Sequence, residues 1–127
     1  MSEAQDPITP ASEPSGEEKR QHLRIPVHWQ AAVMVQQHPS MGKLGDLSRG
    51  GFTFLGEYDL PVGSKQQIYN RMPTADRRGY HQLELIAQVC ACSLAAAEGY
   101  YRVGMRILEM RGNTEEHIMR FLHINGG

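Results

Sequence analysis

The chain has 127 residues, enough for one domain, with 40% hydrophobic and 21% charged residues, a balance that suits one core under an ordinary surface. No run approaches the ~18 apolar residues of a membrane span, residues 1–16 lack the basic start and apolar stretch of a secretory signal, and two cysteines cannot make a disulfide scaffold; a cytoplasmic location is expected. The net charge of −1 conceals an asymmetry, because residues 1–18 carry five acids and no Lys or Arg while residues 19–127 carry 13 basic and nine acidic residues, a mild surplus that suits a small anion or nucleic acid equally.

Residues 1–18 read MSEAQDPITPASEPSGEE and have almost nothing to bury. That composition predicts a disordered acidic tail, followed by one domain over 19–127. From Val27 the pattern takes a period of two. Val27, Trp29, Ala31, Val33 and Val35 alternate with His28, Gln30, Ala32, Met34 and Gln36, as in a half-buried strand. Pro39, Ser40 and Gly42 predict a turn. Residues 43–48 and 51–55 read as two short extended pieces around a glycine-rich loop, and Leu60-Pro61-Val62-Gly63 as a further turn. A strand is expected through Gln67-Ile68-Tyr69, and a longer one from His81 to Leu94. In the longer one Leu83, Leu85, Ala87, Val89 and Ala91 share a face. Glu98-Gly99 turns the chain into Tyr100–Leu108. Asn113 then stands as a helix N-cap with Glu116 in the capping-box position, and Ile118, Phe121 and Leu122 form the apolar stripe of the helix. Short strands followed by one amphipathic helix predict an all-β fold with a C-terminal helix, a small antiparallel barrel.

Catalytic chemistry finds little support. There is no Gly-x-Ser-x-Gly, the six histidines are scattered, and Glu115-Glu116 read as favourable first-turn charges. Cys90 and Cys92 read as a buried pair of free thiols, since a Cys-x-Cys half-site needs two further ligands for a metal. Neither an enzyme nor a metal site is expected.

Phosphate recognition fares better. Lys19-Arg20-Gln21-His22-Leu23-Arg24 gathers three cations where the tail meets the first strand. Two guanidinium forks four positions apart can converge on one anion, although a solvated basic patch has the same composition. Downstream, Gly45-Asp46-Leu47-Ser48-Arg49-Gly50-Gly51 offers a carboxylate, a hydroxyl and two glycines that permit close approach or positive φ. A tight turn would use the same residues. A carboxylate beside phosphate-binding arginines makes sense for a ligand that also presents donors, as guanine does with N1–H and its exocyclic amino group.

Arg20-x-x-x-Arg24 followed by Asp46-x-Ser48-x-x-Gly51 resembles the paired signature of the PilZ domain, the bacterial receptor module for cyclic di-GMP. Val103-Gly104-Met105-Arg106-Ile107 looks like the late strand of that family, and the resemblance covers residues 17–124. Two positions depart from the family pattern: Val89–Cys92 lacks a frequent tryptophan, and Ile107 replaces a common Phe. The resemblance implies a six- or seven-stranded antiparallel split β-barrel that binds cyclic di-GMP reversibly. It implies that Arg20 and Arg24 hold phosphate and guanine edges, that Asp46 accepts from guanine, and that Ser48 bonds phosphate or base. Gly51 would permit close approach, with Arg49 and Gly50 lining the same loop. The resemblance also implies that Lys19, just before Arg20, stands where a long basic side chain accompanies an intercalated ligand dimer. Signalling would pass to an unidentified downstream protein in motility, surface polysaccharide or biofilm control. Two other readings remain at this point. One is a PilZ-type adaptor that works without ligand, and the other is a small barrel binding single-stranded nucleic acid, which would need exposed aromatic platforms.

Overall fold

A computed structural model describes residues 23–126; the expected acidic tail, with Lys19 and Arg20, lies outside the described residues. Six strands, β1 (Ile25–Val35), β2 (His38–Leu47), β3 (Gly51–Gly56), β4 (Lys65–Pro73), β5 (Tyr80–Ala95) and β6 (Tyr100–Arg111), precede one helix, α1 (Thr114–Ile124). They close into a barrel in the order β1-β2-β3-β6-β5-β4, with every neighbouring pair antiparallel. This is the expected class, with six strands. Closure leaves no sheet edge running the length of the barrel.

The period-two pattern puts one face of each strand inside. Val27, Trp29, Ala31 and Val33 from β1 meet Leu44, Phe52, Phe54, Ile68, Leu83, Leu85, Val89 and Val103 in the core, and Ile118 and Leu122 of α1 join them. The helix is fastened by specific contacts. Phe121 packs edge-on against Trp29 at 4.9 Å between ring centroids, and His117 stacks on His81 of β5 at 3.9 Å. The Thr114 hydroxyl accepts a hydrogen bond from the Glu84 backbone N–H at 3.0 Å. Asn113 occupies the N-cap position but makes no side-chain cap bond, so the expected capping box does not form. Glu116 is instead within 3.6 Å of Arg120, one turn on.

The first hairpin also departs from the sequence reading. Its loop is Gln36-Gln37, with φ of 51° and 70°, the paired left-handed conformation that matches the twist of adjoining strands. Pro39, Ser40 and Gly42 lie within β2 and make no turn. Proline is tolerated there because β2 pairs with β3 only from Lys43 onward. Gly42 is a packing requirement, since a Cβ would lie 2.3 Å from the Leu55 carbonyl oxygen.

The two thiols separate. Along β5, Val89 pairs with Met105 and Ala91 with Gly104, leaving Cys90 as the extra residue of a bulge. The bulge resets the alternation, so Cys90 is exposed and Cys92 packs partly against the core. Burial pushes the Cys92 thiol above its ordinary pKa. The expected buried pair therefore holds in part for Cys92 and fails for Cys90.

One polar side chain sits wrongly for a barrel interior. Asn70 of β4 is buried between its register partners Ala31 and Leu83, and neither side-chain polar atom has a hydrogen-bond partner among the described residues. A buried, unpaired polar group costs about 1–3 kcal/mol. Asn70→Leu, which keeps the branching and atom count, is expected to raise the urea midpoint and the melting temperature. A lower midpoint would show that the amide has a partner in solution.

Candidate functional site

The site is built where the start of β1 meets the β2–β3 connection. Register pairs Pro26 with Asp46 and Ile25 with Leu47, which brings Arg24, one residue before β1, alongside the end of β2. Its Nη1 donates to Asp46 Oδ1 at 2.8 Å. The other carboxylate oxygen, Oδ2, accepts from the Thr53 hydroxyl at 3.2 Å, because Asp46 and Thr53 are register partners across β2 and β3. A bulge at Gly45 between Leu44 and Asp46 ends the simple alternation just before the carboxylate. Asp46 is thus gripped from two sides while the Arg24 side chain stays 60% exposed. Among the described residues, one of the five guanidinium donors is engaged.

The loop that follows is closed by its own serine. The Ser48 N–H donates to the Gly51 carbonyl at 2.9 Å. The Ser48 hydroxyl donates to that same carbonyl and accepts from the Gly51 N–H, both at 3.2 Å. Ser48 is only 5% exposed, so its side chain shapes the loop from within. Gly50 offers its carbonyl to the Ile107 N–H at 2.9 Å, pinning the loop to β6. Gly51 opens β3 opposite Arg106. A Cβ there would lie 2.3 Å from the Met105 carbonyl oxygen, so the close approach that this glycine permits within the protein is that of the neighbouring strand. Arg49 is exposed at the loop tip and lines a depression of about 340 Å³ with Met119, Leu122 and His123 of α1.

Among the sequence candidates, the structure joins Arg24 to Asp46 and sets Ser48, Arg49, Gly50 and Gly51 in the adjacent loop. Arg49 faces the helix side. Lys19 and Arg20 lie outside the described residues. Three neighbours were not expected as site residues. Thr53 holds the carboxylate, and its signal was its place in the outward phase of β3, opposite Asp46. Arg106 follows Gly51 across the register and donates through Nη2 to Gln88 Oε1. Gln88 in turn donates through Nε2 to the Gly63 carbonyl at 3.1 Å. The Gly104-Met105-Arg106 run pointed to Arg106, whereas Gln88 left no signal in the linear sequence.

The exposed aromatic side chains include Tyr58 and Tyr80. Trp29, Phe52 and Phe54 are core residues. No group of three or more His, Cys, Asp or Glu converges as a metal site among the described residues, and no described helix is long and apolar enough to cross a membrane.

A family model described as "PilZ domain" matches residues 18–123. Comparison with curated proteins finds no match. Among solved structures, the inhibitor of motility MotI/DgrA of Bacillus subtilis is similar with a TM-score of 0.70 at 13% identity, over 84% of this chain and 51% of that one. The chain therefore spans about half the length of that protein. The PilZ domain of YcgR from Escherichia coli, solved with c-di-GMP, gives a TM-score of 0.61 at 20% identity, over 83% of this chain and 89% of that one. YcgR from Escherichia coli in complex with c-di-GMP gives 0.65 at 21% identity, over 85% and 46%. At these identities the structural likeness is one of fold, and it agrees with the family match over most of the chain. The chain belongs to the PilZ domain family.

Proposed function

We propose that this protein is a cyclic di-GMP receptor that binds the second messenger reversibly and passes the signal to a partner protein, with no bond made or broken. The observation that carries the reading is the Arg24–Asp46–Thr53 cluster at the mouth of the Ser48–Gly51 loop. It sets a guanidinium fork for phosphate beside a fixed carboxylate for guanine donors. Two structures of the same fold, both of YcgR from Escherichia coli, were solved with c-di-GMP. Arg20 supplies the second fork, by its place in the sequence motif. Ser48, Gly50 and Gly51 hold the loop in shape, and Arg49 adds positive charge at its tip.

Lys19 is assigned the role of supporting an intercalated ligand dimer. Two stacked molecules bring four phosphates together, and local cations must offset their repulsion. Isothermal titration with cyclic di-GMP is expected to give two ligands per chain in the native protein, falling towards one in Lys19→Leu. A native ratio of one removes the dimer. A ratio of two that survives the substitution clears the lysine of that role. A native protein that is folded and gives no binding at all is a ligand-independent adaptor, and the receptor reading fails. Burial of Trp29, Phe52 and Phe54 withdraws three aromatic side chains from the stacking surface that nucleic-acid binding would use.

A further inference from the structure

The hairpin between β4 and β5 carries charge that the barrel does not use. Residues 71–82 hold Arg71, Arg77 and Arg78 against one acid, Asp76, and all four are exposed. Asp76 is taken up by the turn itself. Its Oδ1 accepts from the Thr74 hydroxyl at 2.6 Å and from the Arg78 backbone N–H at 3.0 Å. Arg71 lies over the Tyr80 ring, 5.6 Å from its centroid, a stacking that leaves the guanidinium edge for carboxylates. Arg77 has a φ of 62°, in the left-handed region that glycine enters without steric cost. Glycine would serve this turn better, so the arginine calls for a cause outside it. Among the described residues, ion pairs engage Arg24, Arg102, Arg111 and Arg120 and none of these three.

The same chain holds a complement. Residues 1–18 carry five acids, Glu3, Asp6, Glu13, Glu17 and Glu18, and no Lys or Arg. β4 is the neighbour of β1, with Ala31 opposite Asn70. Continued antiparallel, that register sets the hairpin loop level with the start of β1 at Ile25. The acidic run therefore joins the barrel one strand away from the arginines. Neighbouring strands stand ~4.8 Å apart, and the five steps from Glu18 to Leu23 span up to about 17 Å when extended. Exposed ion pairs are individually weak, but so short a tether holds the acids near the hairpin at about millimolar effective concentration.

We propose that Arg71, Arg77 and Arg78 form a docking surface for acidic peptide, and that its occupant is the chain's own residues 1–18. The contact is independent of the cyclic di-GMP reading, and its test needs no ligand. Cleavage of the full chain after Glu17 and Glu18 by a glutamate-specific protease reads the undocked fraction, provided that docking is fast relative to cleavage. At low salt, Arg71→Gln with Arg77→Gly and Arg78→Gln is expected to speed that cleavage about threefold or more, and high salt is expected to do the same to the native protein by screening. Glycine suits the φ of Arg77, and the double variant Arg77→Gly, Arg78→Gln decides the matter if the triple variant fails to fold. Lys43→Gln with Lys65→Gln and Arg102→Gln removes the same charge elsewhere on the exposed surface and is expected to leave the rate unchanged. Equal rates in the native protein and the folded hairpin variant, or equal acceleration by the two sets of substitutions, overturn the docking. Faster cleavage of the native protein on dilution places the acids on a second copy and overturns the occupant proposed.

Discussion

Arg24→Ala is expected to weaken cyclic di-GMP binding tenfold or more and to leave the fold unchanged. The side chain is 60% exposed, and its described contact is the pair with Asp46. Exposed ion pairs contribute roughly 0–1 kcal/mol, so the thermal transition should move by a few degrees at most. Charge-assisted hydrogen bonds to a phosphate contribute more, about 1.5–3 kcal/mol each, and each 1.4 kcal/mol is about a factor of ten in affinity. Arg24→Lys separates charge from geometry. It keeps the cation and loses the planar fork, so it is expected to fall between the native protein and the alanine variant. Titration curves that match the native one for both variants would remove Arg24 from the site. An unfolded alanine variant would mean that the Asp46 pair is structural.

The second large effect is on folding. Gly51→Ala places a methyl group where the Met105 carbonyl oxygen stands 2.3 Å away. That oxygen is backbone of the adjacent strand, so relief requires β3 to separate from β6. The same movement would disturb the Ser48 hydrogen bonds that close the loop. Overpacking of this kind costs about 3 kcal/mol, and a melting temperature lower by roughly 10 °C or more follows for a domain of this size. The methyl group is expected to damage the barrel, with binding a secondary casualty. A Gly51→Ala variant that melts like the native protein would show that the strand can yield.

Much of the architecture was legible because barrel strands alternate. Val27 to Val33, Leu83 to Val89 and Val103-Met105 all place apolar residues at every second position, and Ile118 and Leu122 carry the helix stripe. What escaped depends on local breaks in that period. Gln36-Gln37 adopts left-handed φ without the Asn or Gly that would announce it, so the turn was expected four residues late. Cys90 is a bulge residue, and nothing in Val-Cys-Ala-Cys marks which residue is unpaired. The capping box fails because Asn113, at φ −90° and ψ 18°, lacks the extended backbone of an N-cap, and Glu116 lies beside Arg120. For the site, Arg24, Asp46 and Ser48 were legible as motif residues. Their division of labour was not, because only the register brings Thr53 to Asp46 and Gln88 to Arg106.

The Arg24–Asp46 contact changes what kind of reaction ligand capture is. The Asp46 carboxylate engages part of the fork that the phosphate would claim. Binding in the proposed receptor is then an exchange, in which one anionic partner of Arg24 gives way or shifts as another arrives. Such a swap conserves much of the ionic pairing, so its dependence on salt should be shallower than a count of nearby arginines and lysines implies. The pair also keeps the fork oriented, lowering the entropy lost when the ligand is seated. The carboxylate would act as an internal competitor and a placeholder at once, holding the receptor ready while setting a threshold that casual anions do not pass.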